Sequence, residues 1–436
     1  MKIALLWMKN NPIAVIAAIL CVCSLMGLVV VRFQASSFMK EIEARNAVVQ
    51  KVINLKSTRV KIPSPDLDIS VEERDITINE PAIEALKDVY GKMAVEYRNI
   101  FALAVDQNRK GHDPLLDGLF PDPGINYDKL YDARVEYRNA FESMLLHYSP
   151  TDIYPRLNAG QSTDMEKLSE EVELEQNNYL LRQGMEDSSL ELLTAKQQQD
   201  LSELRRGVAY RVLRQHASKY HIFVESLENC GTVFQIDPWS LPGPSPTLHD
   251  IWQGQMGLWV QQDIVQAIGT ANNIWNASMN VMQNPVKKLN NIAVMPSYVG
   301  ITTTGALTQT GVLTTGQPNS GETRLPNGFL MSPTGRRSNI IYDVLHAKVS
   351  LIVDYQQMSK LFEAIGKTNF MTILSISITD VDEYEALQSG YLYGSGDCVQ
   401  VDLIIETLWL REWTVRLMPK SIKTLLSIET EDKEQQ

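Results

Sequence analysis

Twenty consecutive residues, Pro12 to Val31, carry no charge in a chain that is otherwise acidic and mostly polar. The run reads PIAVIAAILCVCSLMGLVVV. At 1.5 Å per residue, a helix over it reaches about 30 Å, the thickness of a bilayer's hydrocarbon core. A cleaved secretory signal has a shorter apolar core of roughly 7–15 residues and a small-residue cleavage site. Here VRFQASSFMK follows, with only Ala35 and Ser37 as a small-x-small pair. The pattern predicts an uncleaved single-pass anchor over 12–32, in contact with the lipid bilayer, behind a short tail at 1–11. Cys21 and Cys23 serve as apolar filler or as palmitoylation sites. Lys2, Lys9 and the terminal amine precede the run; Arg32, Lys40 and Arg45 follow it. That balance leaves the orientation to chain length. A short basic tail before a long domain points to a cytoplasmic N-terminus with the bulk across the membrane.

The formal net charge is −12, and no Lys/Arg cluster is longer than a pair such as Arg336-Arg337. A nucleic-acid partner needs a basic stripe or patch, so that class is disfavoured. With 44% hydrophobic residues the chain can build real cores, and its 436 residues suggest two or three modules. Two of the four cysteines lie in the apolar run. Cys230 and Cys398 could form one disulfide in an oxidising compartment; the alternative is two unrelated small core residues. Neither has the Cys or His spacing of a zinc site.

Phe33 to Leu55 continues as a helix, with Phe38, Ile42, Val48, Val49 and Val52 at loose helical spacing. Pro63 and Pro65 then mark a linker at 56–80, which completes a juxtamembrane segment 33–80. Pro81 suits the first turn of a new helix. That helix carries the stripe Ile83, Leu86, Tyr90, Met93, Tyr97, Ile100 and Phe101, and ends near Gly111. A further helix covers about 127–148. VEYRN occurs at 95–99 and again at 135–139, too short an echo to establish a repeat. Residues 163–227 read as helical, with capping boxes at Thr163/Glu166 and Ser188/Glu191 and a boundary near Gly184. The heptads are loose, so 81–236 is expected to be helical and partly coiled coil.

A Pro-rich hinge, DPWSLPGPSP, leads into the helix LHDIWQGQMGLWVQQDIVQAI. Trp252, Met256, Trp259, Val260, Ile264 and Ile268 share one face of it. Two accounts stand: a core helix, or a partner-binding face, since Trp and Met favour such anchors. Residues 296–338, rich in Thr, Gly, Ser, Asn and Pro, look like an inserted hairpin or mobile loop. Beyond it the periods become clear. His346 to Asp354 alternates as a half-buried strand. Met358, Leu361, Phe362 and Ile365 mark a helix closed by Gly366. Phe370 to Thr379 alternates again, and Val399, Val401, Leu403 and Ile405 form a last strand. With a strand expected at Ile292 to Val299, the order is α-β-(insert)-β-α-β-β. This suits a ferredoxin-like α/β sandwich over 237–418, followed by a polar tail at 419–436. The fold class expected for the whole chain is α+β.

A short tail, one anchor, a helical juxtamembrane region and a small α/β module resemble the PilO-type inner-membrane proteins of type IV pilus machines. The M-type platform proteins of type II secretion share that plan. The stretch HAKVSLIVDYQQMSKLFEAIGKTNFMTILSISI looks like the core of the PilO C-terminal domain: strand, immediate helix, Asn-Phe pair, second strand. GYLYG and ETLWLREWTVRLMP are similar to segments of enlarged PilO-like proteins of planctomycete and verrucomicrobial bacteria. The resemblance covers 1–60 and 340–418; the middle helices and the insert depart from it. It implies a domain in the periplasm, a homodimer or a heterodimer with a PilN-like protein, and other pilus or secretion subunits as partners. The tail is too short for a PilN-type peptide, so the PilO side fits better.

Motifs that carry chemistry are missing. There is no Gly-x-Ser-x-Gly, His-Glu-x-x-His, dinucleotide fingerprint or P-loop. His216 and His221 lie on diverging helix faces; Asp250 suits a helix start. Asp380, Asp382 and Glu383 lack the twelve-residue calcium pattern and read as an acidic turn. The expectation is a non-enzymatic scaffold subunit with no cofactor or metal. The alternative is a membrane-anchored extracytoplasmic ligand-binding or sensor protein that uses the insert.

Overall fold

The computed structural model describes residues 12–56, 59–62, 72–75, 80–124, 128–146, 156–184, 193–227, 230–234, 246–276, 278–295, 297–301 and 331–428. The expected tail 1–11, the hinge up to 245, the Ser188/Glu191 box and most of the insert lie outside them. Two compact units divide the chain, Met1–Phe101 and Ala102–Gln436.

In the first unit, helix α1 (Pro12–Lys56) runs unbroken for 45 residues. Pro12 opens it, where the missing N–H has no helical partner to lose, and no later proline interrupts it. Among the described residues it is the one helix long and apolar enough to cross a membrane. Strands β1 (Arg59–Ile62) and β2 (Glu72–Asp75) pair antiparallel, Arg59 opposite Asp75 and Ile62 opposite Glu72, where a linker was expected. Helix α2 (Glu80–Arg109) follows and stops before Gly111, which takes φ +79°. Its stripe Ile83, Leu86, Tyr90, Met93, Tyr97 and Ile100 is exposed. Its last turns, from Ala102, belong to the second unit.

The second unit is built on a six-stranded mixed sheet. In chain order its elements are α3 (Asp128–Leu145), β3 (Ala159–Gly160), α4 (Met165–Arg182), α5 (Ala195–Ala217), β4 (Ile222–Val224) and α6 (Cys230–Phe234). There follow α7 (Leu248–Ala271), β5 (Val286–Val294), β6 (Tyr342–Asp354), α8 (Met358–Lys367), β7 (Met371–Asp380) and α9 (Glu383–Gln388). The last are β8 (Cys398–Leu410), α10 (Arg411–Thr414) and α11 (Lys420–Leu425). Across the sheet the order is β3-β4-β5-β6-β8-β7. The four strands β5, β6, β8 and β7 are joined antiparallel; β3 and β4 extend the sheet by parallel pairing.

Alternation along β6 decides what each face holds. Leu345, Ala347, Val349, Leu351 and Val353 join α7 and α8 in the main core. His346, Lys348, Ser350 and Ile352 take the other face. There Ile352 meets Leu168 of α4, Leu213 and Ala217 of α5, Phe223 of β4, and Tyr391 and Tyr393. Full burial of each large apolar side chain contributes roughly 1.5–3 kcal/mol, so both faces are held mainly by such contacts.

The structure redraws the middle of the chain. The expected boundary between a helical region to 236 and a sheet domain from 237 is absent, because β3 and β4 place residues 159–160 and 222–224 inside the sheet. Ile222, Phe223 and Val224 are all fully buried, so a three-residue strand replaces the helix expected to run to Leu227. Helices α4 and α5 pack as a pair through Leu180, Leu193 and Leu201, with Arg205 Nε donating to Gln176 Oε1 at 2.7 Å. The N-cap of α4 is Asp164 rather than Thr163; its carboxylate accepts from the Glu166 and Lys167 N–H groups. Thr194/Gln197 and Thr247/Asp250 form complete capping boxes on α5 and α7.

Candidate functional site

The partner face expected on the Trp-rich helix lies inside the fold. Trp252, Met256, Trp259, Val260 and Ile264 are all buried, as are fifteen residues of α7 in all. The structure therefore assigns this face to the chain's own core, in place of a surface offered to a partner. Indole N–H groups need partners when buried, and both find them: Trp252 Nε1 donates to Tyr298 Oη at 2.9 Å, and Trp259 Nε1 to the Asp113 carbonyl at 3.2 Å. Trp259 stacks on Trp409 at 5.8 Å between centroids and tilts against Trp413 at 5.1 Å.

Beside these rings lies a buried polar network that joins four parts of the unit. His112 follows α2 and packs edge-on to Trp409, 5.0 Å between centroids. Its Nε2 meets Asp263 Oδ1 of α7 at 2.9 Å, and its Nδ1 faces the Asn108 carbonyl at 2.9 Å. Asp263 Oδ2 accepts from Asn369 Nδ2 at 2.7 Å. Asn369 sits at φ +59° in the turn after α8, a conformation asparagine tolerates better than most residues. Its Oδ1 accepts from Asn108 Nδ2 at 2.9 Å. Asn108 Nδ2 also donates to the Leu408 carbonyl at 2.9 Å. Its Oδ1 accepts from Leu410 N at 2.8 Å and Trp413 Nε1 at 2.9 Å. One asparagine thus uses both donors and both acceptor sites.

An Asp–His pair invites comparison with a catalytic dyad. Here both imidazole nitrogens already face acceptors, which leaves neither to take a proton from a nucleophile. The arrangement is a clamp: the end of α2, α7, the α8–β7 turn and the β8–α10 junction are fastened together in a buried, aromatic surrounding. Sequence reasoning passed over Asn108 and met Asn369 only as half of the Asn-Phe pair, with no bonding role. The available signal was Asp263, a carboxylate within a mostly apolar helix, which burial permits only with partners.

A second cluster lies on the opposite sheet face, where the chain returns from the insert. Cross-strand neighbours His346, Glu406 and Thr372 form a row over β6, β8 and β7. Residues 332–336 cover it. Ser332 Oγ meets His346 Nε2 at 3.2 Å, Thr334 Oγ1 donates to Glu406 Oε2 at 2.7 Å, and Arg336 Nη1 donates to Glu406 Oε1 at 2.8 Å. Burial pushes the Glu406 carboxyl up, but hydrogen bonds from Ser332, Thr334 and Arg336 and the Arg336 charge outweigh it, so its pKa is lowered. Burial lowers the His346 pKa against the pull of Glu406. Serine, histidine and glutamate are present together, yet the carboxylate is taken up by Thr334 and Arg336. The cluster latches the insert's returning stem to the sheet.

Asp343 of β6 and Arg411 of α10 form a buried ion pair at 2.6 Å. Burial outweighs the Arg411 hydrogen bond and charge and pushes the Asp343 carboxyl up to about 6. Its Oδ2 has no partner among the described residues.

Of the two accounts of Cys230 and Cys398, the structure has the unbonded one in place of the disulfide: both are free, buried thiols. Cys230 belongs to the main core with Val233 and Phe234, and Cys398 to the cluster around Phe223, Tyr391 and Tyr393. Burial raises both, Cys398 to about 11. Among the described residues, no group of three or more His, Cys, Asp or Glu side chains could hold a metal ion. Asp382, from the acidic turn, caps α9 by accepting from Tyr384 N and Glu385 N.

No protein-family model matches the chain, and no curated protein matches it. Among solved structures it is similar to the type 4 fimbrial biogenesis protein PilO from Pseudomonas aeruginosa, with 14% identity and a TM-score of 0.13, over 17% of this chain and 47% of that one. The match thus spans about half the length of that PilO chain. It is also similar to a core domain from Akkermansia muciniphila, with 11% identity and a TM-score of 0.24, over 49% of this chain and 86% of that one. A further Akkermansia muciniphila structure has 13% identity and a TM-score of 0.25, over 56% and 95% of the two chains.

Proposed function

We propose that this chain is a non-enzymatic, membrane-anchored scaffold subunit, PilO-like, that aligns inner-membrane and periplasmic parts of a type IV pilus or type II secretion-like machine. The observation that carries the reading is the strand order β5-β6-β8-β7, all antiparallel, entered from α7 and crossed by α8. That order is what a ferredoxin-like sandwich yields when its first strand is moved to the chain's end. Two features support it. Helix α1 is long and apolar enough for a membrane anchor. Helix α2 carries an exposed stripe from Ile83 to Ile100, the kind of surface that a second helix covers. In this reading α1 crosses the inner membrane once, the N-terminus is cytoplasmic and the bulk is periplasmic. The partner is a second copy or a PilN-like protein.

Crosslinking in membranes of the native host tests it, with single cysteines at Tyr90 and Tyr97 on the exposed stripe. Adducts with the chain itself or with another single-anchor protein are expected. A C-terminal alkaline phosphatase fusion should be active. An inactive fusion would reverse the topology. The absence of any adduct, with no secretin or actin-like ATPase encoded nearby, would remove the scaffold reading.

A further inference from the structure

Strand β7 closes one end of the sheet, with β8 as its neighbour on the inner side. Natural edge strands are usually protected by charge, proline, shortness or a bulge, since their free N–H and C=O groups template pairing with another chain. β7 has ten residues, and Met371 to Thr379 contain neither charge nor proline. Its irregularity lies between Ile373 and Ser375 and leaves the rest of the strand regular. Ser375 to Asp380 are all exposed, with Ile376 and Ile378 each 45% exposed.

The regular stretch is self-complementary. Ile376 and Ile378 lie opposite Leu403 and Val401, on the face that carries α7 and α8; Ser375, Ser377 and Thr379 lie on the other. Directly opposed residues in an antiparallel pair share a face, so two copies of one strand can pair only about a residue. About Ser377 the match is complete. Ser377 meets its own copy, Ile376 meets the partner's Ile378, and Ser375 meets the partner's Thr379. Hydroxyl faces hydroxyl, and isoleucine faces isoleucine. Asp380, the strand's one charge, falls opposite the partner's Leu374 at the rim, so no like charges meet.

We infer that β7 pairs antiparallel with β7 of a second copy of this chain, centred on Ser377, and joins two sheets into one. The inference rests on the scaffold reading above, for which it names a pairing surface. A second copy is the occupant this stretch matches residue for residue: hydroxyl groups meet hydroxyl groups, the isoleucines meet each other, and the one charge meets no like charge.

The test uses the full chain with Cys21→Ser and Cys23→Ser, in detergent and in cells. Opposed Cα atoms in such a pair are about 4.5–5.5 Å apart, within the roughly 4.4–6.8 Å that a disulfide spans. Ser377→Cys should therefore give a disulfide-linked dimer under mild oxidation. Ser375→Cys alone should not, since its two copies would lie about 13 Å apart along the strands. Mixed with a Thr379→Cys chain it should link again. Ile378→Lys, at an exposed position, should weaken the dimer at least tenfold by sedimentation with unchanged circular dichroism. A dimer that resists Ile378→Lys and gives no linkage at 377 overturns the edge pairing and leaves the scaffold reading standing. A chain that sediments as a monomer overturns the edge pairing and the self-pairing form of that reading. Linkage of residue 377 to a different membrane protein in cells overturns the choice of a second copy.

Discussion

Asn108→Ala is the sharpest perturbation of the clamp at the end of α2. Asn108 is fully buried, and its amide makes four hydrogen bonds, to Asn369, Leu408, Leu410 and Trp413. Alanine removes all four while the partners stay buried. Leu410 N, Trp413 Nε1, the Leu408 carbonyl and Asn369 Oδ1 then each lose a partner. An ordinary hydrogen bond contributes about 1 kcal/mol net, but an orphaned buried group costs about 1–3 kcal/mol. Three of these groups are orphaned, because Asn369 Oδ1 keeps the Phe370 N–H at 2.9 Å; at the low end of that range they give a loss of about 3 kcal/mol, a large share of the roughly 5–15 kcal/mol that holds a typical domain together. Urea denaturation of the full chain in detergent, followed by tryptophan fluorescence, measures it, and Trp259, Trp409 and Trp413 stand at the site. Asn108→Asp keeps the shape but turns a donor into an acceptor toward Leu408 O and Asn369 Oδ1, so it should cost at least as much. A loss below about 1 kcal/mol for both variants, with unchanged denaturant dependence, would refute the clamp as a source of stability.

Further outcomes can be read from the same structure. Asp343→Asn leaves the Arg411 guanidinium buried without its counter-charge and should cost about 3–5 kcal/mol in the same urea assay. The pH dependence has three parts of differing sign. The lowered His346 pKa gives a contribution present above its ordinary 6.5 and lost as pH falls below it. The lowered Glu406 pKa gives one lost as pH falls through the carboxylate range. The raised Asp343 gives the reverse, complete below 3.8 and lost as pH rises to about 6. Melting temperature against pH should therefore drop less steeply below pH 6.5 in His346→Gln than in the parent chain. Gly394→Ala adds a Cβ 2.4 Å from the Met282 carbonyl at a φ of +105°, so it should lower the melting temperature by several degrees. Under oxidising conditions a chain with Cys21→Ser and Cys23→Ser should keep Cys230 and Cys398 as two thiols, its intact mass showing no loss of two hydrogen atoms.

What was legible in the residues follows from where the period survives burial. Helix α8 has one wet side and one dry side, and β6, though buried on both faces rather than half-buried as expected, keeps the polar His346, Lys348 and Ser350 on one of them, so the 3.6 period in the helix and the alternation in the strand expose their type. The reading located both; the strand it expected at Ile292 to Val299 runs instead over Val286–Val294, and α9 (Glu383–Gln388) stands between the last two strands where only a Gly-rich segment was expected. Strand β4 offered three apolar residues behind a helix, and three residues cannot show a period of two against 3.6. Its partners lie far along the chain, Phe223 opposite Lys288 and Ile222 opposite Ala159, so only the tertiary fold makes it a strand. The clamp was hidden for the same reason. Asn108 meets Asn369, Leu408 and Leu410 across separations of 261, 300 and 302 residues, and no local pattern joins them. The Trp252 face misled because a stripe of Trp and Met looks alike whether a partner covers it or the chain's own sheet does.

The polar residues of α7 explain why a helix this buried is not simply apolar. Gln255, Gln261, Gln262 and Asp263 are all buried, and each such group costs free energy unless it is bonded. Three of them reach in different directions. Gln255 Oε1 accepts from Leu115 N at 3.1 Å and from the Tyr137 hydroxyl. Gln261 Nε2 donates to the carbonyls of Phe234 at 2.9 Å and Ile292 at 3.3 Å. Asp263 holds His112 and Asn369. An apolar helix in an apolar groove can rotate or slide by a turn with little change in buried area. Hooks to α3, α6, β5 and the α8–β7 turn favour one rotation and one axial position, since leaving it breaks these bonds at about 1–3 kcal/mol for each group orphaned; Gln255 Nε2, Gln261 Oε1 and Gln262 Oε1 have no partner among the described residues and add nothing to that preference. The helix therefore ties down the elements it bonds, including the end of α2 through His112. For the scaffold role proposed above, defined placement is the property that matters, and the buried polar atoms of α7 supply it where apolar packing alone would not.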